Sequence, residues 1–209
     1  MTHVEYGWTD AATKCSHDYL LPVALEELER HSGGRPLRIL DVGCGNGFIT
    51  AELARRGHDV IGVDVTEDGI AMARAAHVMP NLSFHACSVY DAALLDLVPG
   101  GVDVVISLEV VEHLYLPRAL FAQSLKVLRP GGVLIVSTPY HGYLKNLAIS
   151  LSGGWDRHFG VDWDGGHVKF FSRASLRNLA AEAGFRAFRF RGVGRVPYLW
   201  KSMFLIASA

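Results

Sequence analysis

The stretch Leu40-Asp41-Val42-Gly43-Cys44-Gly45-Asn46-Gly47 constrains this chain more than any other. An apolar run over residues 37–40 feeds into it, and an amphipathic run over 48–56 leaves it. That order reads as strand, glycine-rich turn, helix. Glycine has no Cβ, so Gly43, Gly45 and Gly47 allow positive φ and let a ligand approach bare backbone. The helix that follows starts with unpaired N–H groups and the positive end of its dipole aimed at the same place. Asp41 adds a carboxylate at the strand's end. Such a unit binds a nucleoside-like cofactor at the carboxyl edge of a parallel sheet.

Charge selects the nucleoside. The dinucleotide fingerprint is G-x-G-x-x-G with an acid about 20 residues on. Here the spacing is G-x-G-x-G, and an acid stands two residues before the first glycine. Asp41 would repel a pyrophosphate, whereas it suits the sulfonium and amino group of S-adenosylmethionine. The alternative is a glycine-rich turn that holds no ligand. The D-x-G-x-G-x-G run resembles motif I of the class I methyltransferases.

The rest of the chain sets this unit in an alternating α/β pattern. At 209 residues the length suits one domain with a sizeable core, spanning 1–209. A helix is expected over 22–30, with Pro22 in its first turn, as part of an N-terminal arm over about 1–35. The irregular stretch ahead of it holds Tyr6, Trp8 and His17, either as a surface arm packed on the core or as a lid. Strands are expected over 59–65, 82–86, 102–108 and 133–137, and helices over 67–76 and 117–128. Arg129-Pro130-Gly131-Gly132 should stop the last of these helices. Five β-α steps predict a doubly wound, mostly parallel sheet. Two β-like runs, 185–193 and 202–207, predict an antiparallel hairpin at one side, making seven strands.

Composition excludes some classes. A net charge of −1 shows no basic excess for a polyanionic partner, so nucleic acid is not the expected partner. Cys15, Cys44 and Cys87 are odd in number and form no C-x-x-C pair, which reads as reduced thiols in a cytoplasmic protein. The first ten residues lack the basic-then-apolar pattern of a signal peptide. No uncharged apolar run reaches the ~20 residues that span a bilayer.

Strand ends carry the other candidate contacts. Asp64 closes the second strand about 20 residues after the glycines, where a carboxylate accepts ribose hydroxyls, with Val65 beside it. Cys87-Ser88-Val89-Tyr90-Asp91 follows the third strand, and Ser88 and the Val89 backbone are the candidates for the adenine edge. Ser107 stands at the end of the fourth strand. It is followed by Glu109, Glu112 and His113, at a spacing that would put all three on one helix face. Two carboxylates and an imidazole converging there are costly unless paired, protonated or bound to a cation. A divalent cation with mixed oxygen and nitrogen ligands would resolve that. Alternatively, Glu109 caps the turn, Glu112 faces solvent and His113 acts alone as a base or packing group.

Residues 139–171 exceed a usual connection and read as a substrate lid. The segment is rich in rings, with Tyr140, His141, Tyr143, Trp155, His158, Phe159, Trp163, His167, Phe170 and Phe171. Residues 143–151 form a short apolar helix whose one charge is Lys145, and a weak membrane-surface role is open to it. Ser152-Gly153-Gly154 and Asp164-Gly165-Gly166 provide joints. The rings are either pocket walls or a mini-core that holds the loop down. His167 could swing toward Glu109 and His113 as a fourth metal ligand or a general base, and His141 is a further candidate base.

From about residue 17 onward the chain resembles the ubiquinone-biosynthesis O-methyltransferases and their wider class I group. The resemblance rests on Leu21-Pro22, residues 40–47 with Asp64, and Glu109-Val110-Val111-Glu112-His113. Arg129-Pro130-Gly131-Gly132, Ser137-Thr138 and Gly166-His167 also match. It implies that the glycine loop and Asp64 bind S-adenosylmethionine and that the E-x-x-E-H segment lies at the acceptor site. The related small-RNA end methyltransferases hold magnesium with such a segment and a later histidine. By resemblance, Glu109, Glu112, His113 and His167 would be those ligands, and magnesium or another divalent cation the metal. The adenine loop departs from the family pattern, with Cys87-Ser88 where an acid is usual. The expected activity is O-methylation of a small aromatic or lipophilic acceptor. The rivals are an RNA-end ribose methyltransferase, a cofactor-binding module without catalysis, and an NAD enzyme.

Overall fold

The computed structural model describes residues 17–159 and 166–209. The expectations for Tyr6, Trp8, Cys15, Trp163, Asp164 and Gly165 lie outside these residues. In order come α1 (His17–Ser32), β1 (Arg38–Val42), α2 (Phe48–Arg55), β2 (Asp59–Asp64), α3 (Glu67–Ala76) and β3 (Leu82–Ala86). Then follow β4 (Val102–Leu108), α4 (Arg118–Val127), β5 (Leu128–Pro139), α5 (Tyr143–Leu151) and α6 (Trp155–Phe159). The chain ends with α7 (Arg173–Ala183), β6 (Ala187–Val193) and β7 (Ser202–Ser208).

The seven strands form one sheet in the order β3-β2-β1-β4-β5-β7-β6. β1 to β5 pair in parallel, and β7 runs antiparallel between β5 and β6. The α/β, doubly wound expectation holds, and so does the C-terminal hairpin. Strand order reverses between β1 and β4, which opens a crevice at the carboxyl ends of the strands.

Strand side chains alternate between two cores. Ile39, Val104, Ile135 and Phe204 pack with Leu20 and Leu28 of α1 and Leu53 of α2. Leu40, Val105, Leu134 and Leu205 pack with Phe121 of α4 and Leu176 of α7. β4 is buried on both faces, as its nearly unbroken apolar run requires.

Three boundaries differ from expectation. α1 starts at His17 and so places Pro22 inside the helix, not in its first turn. There the missing N–H removes one helical hydrogen bond, while Leu20, buried in the α1 face of the core, draws the helix past it. α4 ends at Val127, and β5 begins before Arg129-Pro130-Gly131-Gly132, pairing Leu128 with Val102 across a register shift. Helix α7 lies beyond the expected alternation. Its signals are local: a capping box between Ser172 and Ser175, buried Leu176, Leu179 and Ala180, and Gly184 in the left-handed region.

The 139–171 insertion is closed at its base. Tyr140 bridges Phe171, the His141 N–H donates to the Phe171 carbonyl, and the Tyr140 N–H donates to the Lys201 carbonyl. Its two ends therefore leave and rejoin the sheet at one point.

Candidate active site

The glycine turn takes the conformation that its sequence allows. Gly43, Gly45 and Gly47 have φ of 81°, 53° and 78°. A Cβ on Gly43 would stand 2.3 Å from Val110 Cγ2, and one on Gly47 2.7 Å from Ala73 Cβ. Glycine at these two positions thus serves packing as well as φ. The Gly43 and Cys44 amides both donate to the Val63 carbonyl, which folds the turn back over β2.

Asp64 braces the same turn. Its Oδ2 accepts from the Gly45 N–H at 2.9 Å, and its Oδ1 accepts from the Thr66 N–H and hydroxyl. Val65, next to it, is exposed at the end of β2. In the loop after β3, Val89 is buried, the Ser88 N–H donates to Asp91 Oδ2, and Ser88 Oγ accepts from the Tyr90 N–H. Asp91, three residues after Ser88, is thus tied back to it across the loop. The Ser107 hydroxyl donates to the Val42 carbonyl at 2.9 Å, tying β4 to β1 across the switch point.

Asp41 is placed differently from expectation. Alternation along β1 turns it to the α2 face, where it is buried and accepts from the Thr50 hydroxyl at 2.7 Å. Its carboxylate therefore lies beneath the loop, not open in the crevice. Burial is the main cause that raises its pKa to about 7; the Thr50 hydrogen bond opposes this and the charge of Asp64 adds to it.

The E-x-x-E-H segment is not a helix carrying three side chains on one face. Glu109 has φ of 55°, and only Val111–His113 make a single 3₁₀ turn. The Glu109 carboxylate accepts from the Ser137 hydroxyl at 2.7 Å and the Ser202 hydroxyl at 3.0 Å. Burial raises its pKa to about 7 against those two hydrogen bonds and the charge of Lys145. Glu112 is 1% exposed, and among the described residues neither carboxylate oxygen has a partner in full hydrogen-bond geometry, although the Thr138 hydroxyl is near enough to favour its charged form. Burial, then the charge of Glu109, raises its pKa well above the usual carboxylate range.

The insertion supplies what the turn alone does not. The Glu112 carbonyl accepts from the Val168 and Lys169 amides, so the returning end of the insertion is pinned beside it. This brings His167 Nε2 to 3.9 Å from Glu112 Oε1 and sets its ring 4.9 Å from that of His113. His113 Nδ1 lies 3.2 Å from the Gly166 carbonyl. Glu112, His113 and His167 each present a ligand atom within 4.8 Å of the others. Glu109 stands outside this group, held by its two serines. His141 is also outside it: buried, stacked on Phe159, edge-on to Phe170, with Nδ1 3.4 Å from Asn146 Oδ1. Burial, then the charge of Lys145, lowers His141 to about 4. Of the two readings of the lid's rings, mutual packing is plain: Trp155, Phe159 and Phe170 contact one another in sequence.

The methyltransferase-domain family profile matches residues 16–188, most of the chain and all of the crevice. The chain belongs to the class I S-adenosylmethionine-dependent methyltransferases. Among curated relatives, the ubiquinone biosynthesis O-methyltransferase of Cereibacter sphaeroides is 29% identical over 89% of this chain and 76% of its own length. That of Ruegeria pomeroyi is 30% identical over 90% of this chain and 77% of its own length. Among solved structures, magnesium protoporphyrin IX methyltransferase from Synechocystis PCC 6803, with bound SAH, has a TM-score of 0.67 at 20% identity. That match covers 90% of this chain and 80% of that one.

Three residues around the E-x-x-E-H segment and the insertion escape the sequence pattern. Ser137 and Ser202 clamp Glu109 from β5 and β7, and only strand pairing puts them together. Lys145 of α5 is buried, its Nζ donating to the Lys201 carbonyl at 3.2 Å. A lone charge in an apolar helix was the available signal for it.

Proposed function

We propose that this methyltransferase transfers its methyl group to a hydroxyl oxygen of a small aromatic or lipophilic acceptor, with a divalent cation at Glu112, His113 and His167. One observation supports this most: among the described residues, a buried carboxylate without a partner in hydrogen-bond geometry groups with two imidazoles, one of them from the insertion. A carboxylate oxygen and two neutral imidazole nitrogens suit a borderline or hard divalent ion. The ubiquinone O-methyltransferase relatives favour oxygen as the acceptor atom.

S-adenosylmethionine supplies an electrophilic methyl on sulfonium, and a bound cation supplies charge that lowers a hydroxyl's pKa. The protein's own work is to align, desolvate and deprotonate. In this reading the bare backbone of Gly43, Gly45 and Gly47 lies against the cofactor. Asp64 takes the ribose hydroxyls, and Val65, Ser88 and Val89 flank the adenine. Ser107 and Asp41 hold the loop from beneath, through Val42 and Thr50. A proton on His113 Nδ1, donated to the Gly166 carbonyl, leaves Nε2 with its lone pair. Burial, with the charge of Lys145, lowers the pKa of His167, so its ring stays neutral and able to take a ligand or a proton. The 139–171 insertion acts as the lid.

A lipophilic acceptor fits the outer face of this lid. Tyr143, Leu144, Leu147 and Leu151 of α5 are exposed, with Val196, Tyr198 and Leu199 on the β6–β7 loop. Exposed Arg195 lies in the same β6–β7 loop and exposed Arg157 in the neighbouring α6, a pattern suited to shallow contact with an anionic bilayer surface. Among the described residues no helix is long and apolar enough to cross a membrane.

Activity on a panel of phenols and catechols, with and without a chelator, tests the reading. Replacing His113 and His167 together with alanine should abolish turnover and leave adenosylhomocysteine affinity, read by calorimetry, near normal. Full turnover in the double variant would refute the assigned roles.

A further inference from the structure

Helix α5 is built inside out. Its sequence, YLKNLAISL, carries one charge. On a surface helix that lysine should face water and the leucines the core. Instead Tyr143 is 79% exposed, Leu144 51% and Leu151 81%, while Lys145 is 6% exposed. Packing alone does not favour this orientation, because burying an ammonium costs free energy and leaving leucines in water gains none.

Among the described residues, the buried ammonium has no carboxylate within ion-pair distance. It has three N–H donors, and one is used, on the Lys201 carbonyl at 3.2 Å. Among the described residues no carboxylate pairs with it. Glu109, the acid whose charge it feels, is committed to the hydroxyls of Ser137 and Ser202. The other groups coupled to it are cations or become cations on protonation: Arg195, His141, His158 and His167. A buried charge persists when something pairs with it. The ammonium acts electrostatically on His141, whose ring packs against Phe159 at 5.5 Å and Phe170 at 5.0 Å between ring centres.

We propose that Lys145 is the anion-recognition residue of the acceptor pocket, and that the methyl acceptor is an aromatic ring bearing a carboxylate that serves as its counter-ion. The inference rests on the O-methyltransferase reading above and narrows its substrate class. Burial, then the charge of Arg195, lowers the Lys145 ammonium to about 8, which keeps it mostly charged at neutral pH. The carboxylate forms no bond and loses none. The hydroxyl oxygen takes the methyl and loses its proton, as in the reaction already described.

The test compares protocatechuate, which carries the carboxylate, with catechol, which does not. Wild type should favour protocatechuate in kcat/KM by about ten- to hundredfold, the range for one hydrogen bond to a charged group. Lys145→Met, close to the same volume, should erase that preference by raising KM for protocatechuate far more than KM for catechol. Lys145→Arg should restore part of it. Lys145→Gln, which can still donate to the Lys201 carbonyl, should behave like Lys145→Met if charge recognition is the role. Equal use of both acceptors by wild type, or equal losses on both in the variants, would overturn the proposal. If wild type methylates neither, the O-methyltransferase reading is what fails. Calorimetry of protocatechuate with adenosylhomocysteine present then decides the anion site: weaker binding to Lys145→Gln supports it, and unchanged binding refutes it. Melting temperature and adenosylhomocysteine affinity establish that each variant is folded.

Discussion

At the residue scale, Asp41 shows how one strand alternation changes a side chain's role. Its carboxyl belongs to the interior under α2, and its native pKa of about 7 lies above the ordinary 3.8. The folded chain therefore holds a proton that the unfolded chain has already released across that window. Stability from this group is fully present below pH ~4 and declines as pH rises to about 7. The loss amounts to at most about 4 kcal/mol, from ~1.4 kcal/mol per pKa unit. Asp41→Asn keeps an acceptor for Thr50 and removes the titration. Its unfolding free energy, measured by denaturant at pH values on either side of the window, should vary less with pH than that of wild type. Glu109 and Glu112 shift in the same direction and leave a residual slope. That an acid stands at the end of β1 was legible from the sequence. Which face it points to depends on the phase of the strand, which the glycine run does not state.

At the scale of elements, α5 and α7 are opposite cases. α7 carries its own signals, from the Ser172 cap to Gly184, and its apolar stripe meets α4 and the sheet in the usual way. α5 was legible as a helix, yet its buried side is the polar one. If its exposed leucines serve an interface and not the fold, Leu144→Ser with Leu147→Ser should change unfolding free energy by less than about 0.5 kcal/mol each. The same double variant should sediment less with anionic phospholipid vesicles than wild type. A large loss of stability would show instead that these leucines belong to the core. The E-x-x-E-H segment teaches a related lesson. Its helical spacing was an invitation to group three side chains, but the left-handed backbone at Glu109 breaks the period. Glu109 then turns to Ser137 and Ser202, and Glu112 to the lid.

At the scale of the whole molecule, the N-terminal helix is fastened to the last hairpin. Glu27, buried on α1, accepts from Arg189 Nη1 at 2.8 Å and also pairs with Arg189 Nη2 and Arg191. This clamp joins residues 162 positions apart in the chain. Both guanidinium groups are partly exposed, which limits their worth through solvent screening. Glu27→Ala should still cost about 1–3 kcal/mol in thermal unfolding, since it leaves Arg189 without its carboxylate partner while Arg191 keeps Glu26. Arg191→Met should cost less, because Arg189 keeps Glu27 paired.

The sequence by itself determined the glycine turn, the order of strands and helices and the final hairpin, because each depends on neighbours within a few residues. Tertiary structure alone decided how the buried polar cluster beside the crevice is put together. His167 reaches His113 and Glu112 from more than fifty positions away because two amides of the lid bind the Glu112 carbonyl. Ser137 and Ser202 converge on Glu109 because β5 and β7 pair. Lys145 is drawn inward while its leucines stay in water. Such contacts join segments with no local pattern in common, so only the closed fold brings them together.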